Sequence, residues 1–172
     1  VDTGETISDS GGSADVVAIA TSVDFVNLPE ANLDNIEQIR FAGANQTATF
    51  TGAQLTGETL SLTETAAGTS NLIINVASGT TVTFENMAPG SGFSDGSDTV
   101  TINGATGSET ITAPNLATTI NAGDGNDTID AGDGVDTIVG GNGNDVYIFN
   151  TNDVDAGETI SDSGGSADVV AI

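Results

Sequence analysis

The sequence predicts an all-β fold, an elongated solenoid of the parallel β-roll or β-helix type, and three observations predict it. Short runs that alternate apolar with polar residues recur at intervals of roughly nine to fifteen residues, with turn-forming residues between them. Three nonapeptides of one pattern follow one another at 122–148. The chain has six Phe, one Tyr and no Trp against 23 Gly, so thin stacked layers suit it better than a thick core of bulky side chains.

The alternating runs are predicted as strands. In the run Leu72–Val76, the apolar Leu72, Ile74 and Val76 fall on one face, so this strand buries one side only. Helical turns are predicted around Pro29–Ile36 and around Ala53–Leu55, and neither is long enough to be a stable helix alone. The predicted strands are Ala14–Ala20, Ile36–Phe41, Thr47–Thr51, Thr59–Thr63, Leu72–Val76, Thr81–Phe84, Thr99–Ile102 and Glu109–Thr112.

The nonapeptides read AGDGNDTID at 122–130, AGDGVDTIV at 131–139 and GGNGNDVYI at 140–148. The first six residues of each unit are expected to form a turn, in which glycines let backbone carbonyls converge on an ion and the aspartate at position six adds a carboxylate. The last three form a strand whose apolar residue, Ile129, Ile138 or Tyr147, points into the roll. Hairpin turns are the alternative reading of the Asp-Gly and Asn-Gly pairs, but hairpins require no strict period.

Two nonapeptides would complete one coil, so the first and third units stack on one edge of the roll. Asp127 and Asp145 are then expected to share an ion, and the second unit, with Asp136, needs a partner downstream, for which Asn152, Asp153 and Asp155 are candidates. Oxygen ligands of this kind suit Ca²⁺, which is the predicted cofactor. The candidate ligands are Gly123, Asp124, Gly125, Asp127, Gly132, Asp133, Gly134, Asp136, Gly141, Asn142, Gly143, Asp145 and Asp153.

These units resemble the RTX (repeats-in-toxin), or haemolysin-type calcium-binding, nonapeptide family, whose pattern is G-G-x-G-x-D-x-U-x. The resemblance extends to Gly157-Glu-Thr-Ile, Ala167-Asp-Val-Val and Asn35-Ile-Glu-Gln-Ile39. It implies a calcium β-roll, export by a type I secretion machine and folding triggered by external calcium. Two units have Ala122 and Ala131 in place of the first glycine, and degenerate copies at 93–101, with Asp98, and 104–112, with Glu109, leave the number of ions open.

The two ends of the sequence are nearly the same. Residues 1–19 recur at 154–172 with 18 of 19 positions identical, at an offset of 153 residues; only Thr3 differs, against Ala156. This predicts a unit cut from a tandem array, with chance duplication as the alternative. The predicted segments are 1–41, the start of one unit; 42–112, a β-solenoid or alternatively a β-sandwich; 113–150, the calcium roll; and 151–172, the start of the next unit.

Charge narrows the classes of partner and of activity. The formal net charge is −24, from 25 acidic residues against the single Arg40, which argues against nucleic acid and anionic membranes as partners. No apolar run is long enough to insert in a membrane. The chain has no His, no Cys and no Lys, so the usual catalytic bases and nucleophiles are missing and we do not expect an enzyme.

A structural role follows as the main expectation: a calcium-binding tandem repeat of a secreted or cell-surface fibre, adhesin or surface layer, whose partners are neighbouring copies of the same repeat. One alternative is a folding and secretion module of a larger secreted enzyme or toxin. Another is a ladder of Thr pairs that binds ice or carbohydrate at a cell surface. The pairs are Thr47/Thr49, Thr63/Thr65, Thr81/Thr83, Thr99/Thr101 and Thr110/Thr112.

Overall fold

The computed structural model describes residues 15–29, 33, 36–94, 97–151 and 153–172. Over these residues the chain forms strands β1–β16 and one short helix, α1 (Gly52–Leu55). Every described strand pair is parallel. The predicted all-β parallel solenoid is therefore confirmed. Residues 1–14, most of the predicted helical turn at 29–36, and Asn152 lie outside the described residues.

One seven-stranded sheet, called here the long sheet, runs through the whole described stack. Its strand order is β15-β13-β11-β9-β6-β4-β2. Seven strands make six steps of about 4.8 Å, so this sheet extends for about 29 Å along the stack. Its strands are β2 (Val23–Asp24), β4 (Thr47–Thr51), β6 (Asn71–Asn75), β9 (Thr99–Asn103), β11 (Thr118–Asp124), β13 (Thr137–Asn142) and β15 (Thr159–Ser161).

Two shorter sheets divide the stack between them. The N-terminal sheet has the order β1-β3-β5-β8, with β1 (Val16–Ile19), β3 (Gln38–Phe41), β5 (Leu60–Glu64) and β8 (Met87–Pro89). The C-terminal sheet has the order β16-β14-β12-β10-β7, with β7 (Thr81–Thr83), β10 (Thr110–Thr112), β12 (Thr128–Asp130), β14 (Val146–Ile148) and β16 (Val169–Ala171). The chain passes from the long sheet to a short sheet and back in each coil.

Coil length changes along the chain. Thr47 pairs with Asn71 and Asn71 with Thr99, so these coils contain 24 and 28 residues. Val100 pairs with Thr118 and Thr119 with Thr137, so the following coils contain 18 residues, or two nonapeptides, as predicted. The strands within 42–112 join the same parallel stack, which is the solenoid arrangement and not a sandwich.

The core consists of one inward-facing layer from each strand. Ile74, Ile102, Ile120 and Ile138 occupy equivalent positions on successive long-sheet strands, and each is at most 1% exposed. The predicted inward positions are confirmed for Leu72, Val76, Val82, Phe84, Val100, Ile129 and Tyr147, all of which are buried. The wider N-terminal coils also bury Phe41 and Phe50, and Phe50 stacks on Phe25 with ring centroids 4.5 Å apart.

The short helix fastens one wide coil to its neighbour. The N–H of Thr51 donates to Oε1 of Gln54, and Nε2 of Gln54 donates to the carbonyls of Phe25 and Leu28 at 2.8 and 2.6 Å. Gln54 is buried, so these bonds satisfy a polar side chain that would otherwise be costly inside the stack. The helical turn predicted at Ala53–Leu55 is confirmed. No helix among the described residues is long and apolar enough to span a bilayer.

The sequence-based strand list was incomplete and partly displaced. It missed β2, which is only two residues long, and β8, which ends in Pro89 and shows no alternation. It also missed β15 and the part of β11 that precedes the nonapeptides. It also placed Gly140–Asn142 in a turn, whereas β13 extends to Asn142 because Gly123 and Asp124 pair with Gly141 and Asn142 in the long sheet.

The isoleucine column gives a test of the core. We expect Ile120→Ala to lower the free energy of unfolding by about 2–5 kcal/mol, because Ile120 is fully buried between two neighbouring coils. Thr119→Ala, on the outer face of the same strand, should cost less than about 1 kcal/mol. Urea unfolding in calcium measures both. Similar losses for the two variants would contradict the inward assignment.

Candidate metal centre

Acidic residues occupy the position just before many of the strands. A turn ends there and the backbone becomes extended, so the side chain of the last turn residue points back into the edge of the stack. We call these side chains the strand-start carboxylates. They are Asp15 before β1, Glu37 before β3, Asp98 before β9, Glu109 before β10, Asp127 before β12, Asp136 before β13, Asp145 before β14, Glu158 before β15 and Asp168 before β16.

On the first edge of the roll, where the chain passes from the long sheet to the C-terminal sheet, each strand-start carboxylate binds the preceding coil. The N–H of Glu109 donates to Oδ1 of Asp127 at 2.7 Å, and the N–H of Asp127 donates to Oδ1 of Asp145 at 2.9 Å. The N–H of Asp145 donates in turn to Oδ1 of Asp168 at 3.1 Å. One oxygen of each carboxylate is thus used to join coil to coil.

The second edge carries the same ladder. The N–H of Thr118 donates to Oδ1 of Asp136 at 2.7 Å, and the N–H of Asp136 donates to Oε1 of Glu158 at 2.8 Å. Asp153, which is 4% exposed, accepts the N–H of Asn150 in the connection between β14 and β15. These bonds align the acids of one edge in a row along the stack.

The other oxygen of several ladder members is unsatisfied. Asp127, Asp136 and Asp145 are at most 1% exposed. Within the described residues, Oδ2 of each and Oε2 of Glu158 are buried without a hydrogen-bond partner. Buried charges without partners are strongly unfavourable unless they are paired or bind a metal. Anionic oxygens of this kind are the ligands that Ca²⁺ prefers, so these residues fit a calcium ion.

Two earlier ladder members differ from these, because both of their oxygens are satisfied. Asp98 accepts the N–H groups of Ser70 and Ser94, each at 2.8 Å. Glu109 accepts those of Gly79 and Ala105, at 2.7 and 3.1 Å. Backbone N–H groups thus stabilise the carboxylates of Asp98 and Glu109, as a bound cation would stabilise that of Asp127. The contrast predicts that the ion sites begin C-terminal to Glu109.

Burial raises the pKa of the three unsatisfied aspartates, Asp127, Asp136 and Asp145. For Asp136, removal from water is the largest cause, the N–H of Thr118 opposes it, and the negative charges of Glu158, Asp153 and Asp155 add to it, so its pKa rises from 3.8 to about 7. Removal from water also raises the pKa of Asp127 and of Asp145, and neighbouring carboxylates raise both further.

The glycines of the first edge allow very close stacking of the turns. Gly125 and Gly143 have φ of 142° and 139°, a region that side chains disfavour. A Cβ on Gly143 would lie 1.5 Å from the carbonyl oxygen of Gly125 in the coil before it. Only glycine therefore lets the turns of successive coils approach this closely.

The predicted first-edge residues come together as two stacked turns. Gly123 and Asp124 pair with Gly141 and Asn142, and Asp127 and Asp145 are joined by their ladder bond. Asp124 and Asn142 are exposed, and Nδ2 of Asn142 donates to Oδ1 of Asp124 at 2.7 Å. Ligation of an ion between these turns stays a prediction.

The second edge brings together a different set from the one predicted. Asp153 and Asp155 lie near Asp136, but the residue in register with Asp136 is Glu158, which sequence reasoning missed. The reason is the longer last coil: Thr137 pairs with Thr159, a step of 22 residues instead of 18.

The turn of the second nonapeptide supplies Gly132, Asp133 and Gly134 to this edge. Asp133 is exposed, and its N–H donates to Oδ1 of Asn115 at 3.2 Å. A sequence signal for Glu158 was present: an acid followed by Thr-Ile occurs at 109–111, 127–129, 136–138 and 158–160.

Replacement of a ladder acid gives the first test of the site. We expect Asp127→Asn to weaken calcium binding by at least about tenfold at one site, because it removes a buried anionic ligand. Asp124→Asn should have a smaller effect, since Asp124 is exposed and bonded to Asn142. Calorimetric titration of the full chain with calcium measures both. Equal losses would contradict the ranking.

The raised pKa of Asp136 predicts how stability depends on pH. Folded Asp136 keeps its proton up to about pH 7, whereas in the unfolded chain its pKa is 3.8. The metal-free fold therefore binds more protons than the unfolded chain between these values, and its stability falls as pH rises through this interval. Calcium competes with that proton, so calcium affinity should rise over the same interval.

Urea unfolding in metal-free buffer and calcium titration, each at pH 5 and pH 7.5, check this expectation. Asp136→Asn, which cannot titrate, should reduce both pH dependences. Metal-free stability that increases between the two pH values would overturn it.

Comparison with known proteins agrees with this geometry. Residues 116–147 match the family model described as RTX calcium-binding nonapeptide repeat, in four copies. No curated protein and no solved structure matches the chain. The match begins before Ala122, the first residue of the three units seen by inspection, and so includes the start of β11, which is in register with β13. Residues 116–147 are thus RTX calcium-binding nonapeptide repeats folded as a parallel β-roll.

Proposed function

We propose that the chain is a structural, calcium-binding repeat of a secreted or cell-surface fibre, adhesin or surface layer, in which successive units continue one stack. The observation that carries the proposal is a difference in burial between two copies of one sequence. Val17 is 5% exposed, whereas its counterpart Val170 is 57% exposed.

The difference arises because a following coil covers the first copy only. Val17 and Ile19 lie on β1, which pairs with β3 through Ile39 and Phe41. Val170 lies on β16, which pairs with β14 on one side, and no described strand lies on its other side. The same segment is thus buried when another coil follows it.

The strand edges of the two copies are complementary. β1 is the first strand of the N-terminal sheet, and β16 is the last strand of the C-terminal sheet. In a tandem array, β16 of one unit would also be β1 of the next. This strand would pair with β14 on one side and with β3 of the following unit on the other. The two short sheets would then become continuous, and sheet edges would be exposed only at the fibre tips.

An apolar end face supports the same arrangement. Val154, Ile160, Val169, Val170 and Ile172 are all more than 40% exposed at this end of the stack. These side chains lie beside the last strand of the described stack, where a following coil would cover them in a tandem array. The occupant that fits is the coil that covers the first copy, the segment equivalent to 20–41 in a following unit.

Charge and calcium fit a location outside the cell. RTX repeats are typical of secreted proteins, and extracellular calcium modules bind at roughly 10⁻⁴ to 10⁻³ M. About four Ca²⁺ would contribute +8 against −24, so ions act by local coordination and neighbouring fibres would still repel one another.

A catalytic role is not part of the proposal. The chain has no His, Cys or Lys, and the buried carboxylates at the strand starts serve the coil-to-coil ladders.

The Thr-pair alternative lacks the flat ladder that it requires. Thr47/Thr49 and Thr99/Thr101 lie on the long sheet with β6 between them, and Thr63 lies on the N-terminal sheet. Only the pairs of β7 and β10 are adjacent. A folding module of a larger secreted protein would use the same roll but would not need a further unit on the end face.

Thiol labelling tests the stacked arrangement, since the chain has no cysteine. We expect Val170→Cys to react freely in the present chain and at least about tenfold more slowly when residues 20–172 are appended after Ile172, because the added coil covers the end face. Val135→Cys, at a site that is 49% exposed on the second edge, is the control and should react equally in both chains. Equal labelling of Val170→Cys in the two chains would favour separate beads on a linker.

A further inference from the structure

We propose that Asp145, Asp162 and Asp168 hold an additional calcium ion, which joins the last nonapeptide to the second copy of the repeated segment. Asp145 belongs to the nonapeptide at 140–148, whereas Asp162 and Asp168 belong to the copy at 154–172 and lie outside the matched repeats. The inference rests on the proposed tandem function only for its consequence, which is that calcium would bind at each seam, the junction between two successive units. The site itself is complete within this chain.

The three carboxylates already converge. One oxygen from each lies within 4.8 Å of the others, a separation that a single cation could bridge. Asp162 and Asp168 are exposed and Asp145 is fully buried, so the group opens to solvent on one side. Three negative charges in this space repel one another unless a cation is bound.

A second observation points independently to a ligand. Oδ1 of Asp145 accepts the N–H of Asp127, but Oδ2 is buried and has no hydrogen-bond partner among the described residues. A Cβ on Gly140 would lie 2.5 Å from this Oδ2 and 1.9 Å from the hydroxyl of Tyr147. The unsatisfied oxygen thus lies in a small space that the glycine leaves open, next to the tyrosine.

Tyr147 fixes the position of the second carboxylate. Its hydroxyl donates to Oδ2 of Asp162 at 2.8 Å, and the N–H of Gly164 donates to Oδ1 of Asp162 at 2.9 Å. Each carboxylate oxygen can still use a further lone pair for an ion. Asp168 is held by its ladder bond from the N–H of Asp145. All three acids are therefore positioned by bonds that leave ligand capacity free.

The turn at 162–168 differs from a nonapeptide turn in a way that creates the site. The N–H of Ser163 donates to the carbonyl of Gly141 and the N–H of Ser166 to Oδ1 of Asn144, so this turn stacks on the last nonapeptide turn. The alignment places Asp162 beside Gly140, where nonapeptide units have only glycine or alanine. The seam turn adds a carboxylate that the repeats lack.

The same arrangement would recur at every seam of a tandem array. Asp162 and Asp168 correspond to Asp9 and Asp15 of the first copy, of which Asp9 lies outside the described residues. The N–H of Asp15 donates to Oε2 of Glu37 at 2.8 Å, so the ladder continues from this position into the coil that follows. An ion on Asp162 and Asp168 would thus stabilise the start of the next unit against the end of the previous one.

Calcium is the ion that fits. The oxygens are partly exposed and come from three separate carboxylates, which suits the flexible shell of Ca²⁺ better than the rigid octahedron of Mg²⁺. Exposure of two of the three acids also means that neutral replacements there should leave the fold intact.

Calcium titration of the full chain tests the proposal. We expect the double variant Asp162→Asn with Asp168→Asn to bind one ion fewer, or to bind one ion at least about tenfold more weakly, than the unchanged chain. The control variant Asp24→Asn with Glu58→Gln has the same change in charge but lies in the wide N-terminal coils, and it should bind calcium as the unchanged chain does. Circular dichroism confirms that both variants fold.

Hydrogen exchange supplies a readout that stoichiometry does not. Calcium should protect the amides of β15 and β16 in the unchanged chain and in the control, and should protect them less in the double variant. The proposal is overturned if the double variant binds calcium and gains protection as the control does. That result would not affect the stacked-fibre model, which is tested separately by thiol labelling. Conversely, rapid labelling of Val170→Cys in the two-unit chain would reject the fibre model, and the ion would then be a site within one chain only.

Discussion

The buried carboxylate at the start of a strand is the interaction on which the C-terminal roll depends. It uses one oxygen to accept an N–H from the coil before it, and in Asp127, Asp136 and Asp145 the other oxygen has no hydrogen-bond partner within the described residues. A group in this state joins two coils and at the same time carries an uncompensated buried charge. The coil-to-coil bond and the need for a cation are therefore two properties of one side chain.

Along the stack, the source of stability changes. The N-terminal coils are 22 residues or longer, enclose Phe41 and Phe50, and use a helix and Gln54 to fill the extra width. The 18-residue coils bury mostly alanines and single isoleucines such as Ile120, with Leu116 and Tyr147 as the larger exceptions. The change coincides with the change in the ladder, from Glu109 with both oxygens satisfied to Asp127 with one unsatisfied. Where the apolar core becomes thinner, we expect bound calcium to add to the ladder bonds and the sheet pairing that hold the coils together.

Much of this could be predicted from sequence, because a strict period of nine determines which residues share an edge and which point inward. The pairing of the turns that contain Asp127 and Asp145 followed from that period, and so did the burial of Ile129 and Ile138. The prediction failed where the period ends. Glu158 was missed because the connection after β14 is longer than a nonapeptide turn. Sequence alone does not show at which residue after this longer connection the next strand begins.

By itself, the sequence determined the all-β class, the family of the nonapeptide segment, the inward faces and the oxygen character of the ion sites, since each depends on residues close together in the chain. Only the tertiary structure decided which acids need a cation. Asp98 and Asp136 look alike in sequence, and they differ because N–H groups reach both oxygens of Asp98 but only one oxygen of Asp136. The tertiary structure also decided that Val17 is buried and Val170 exposed, because burial depends on whether a further coil stacks on the strand.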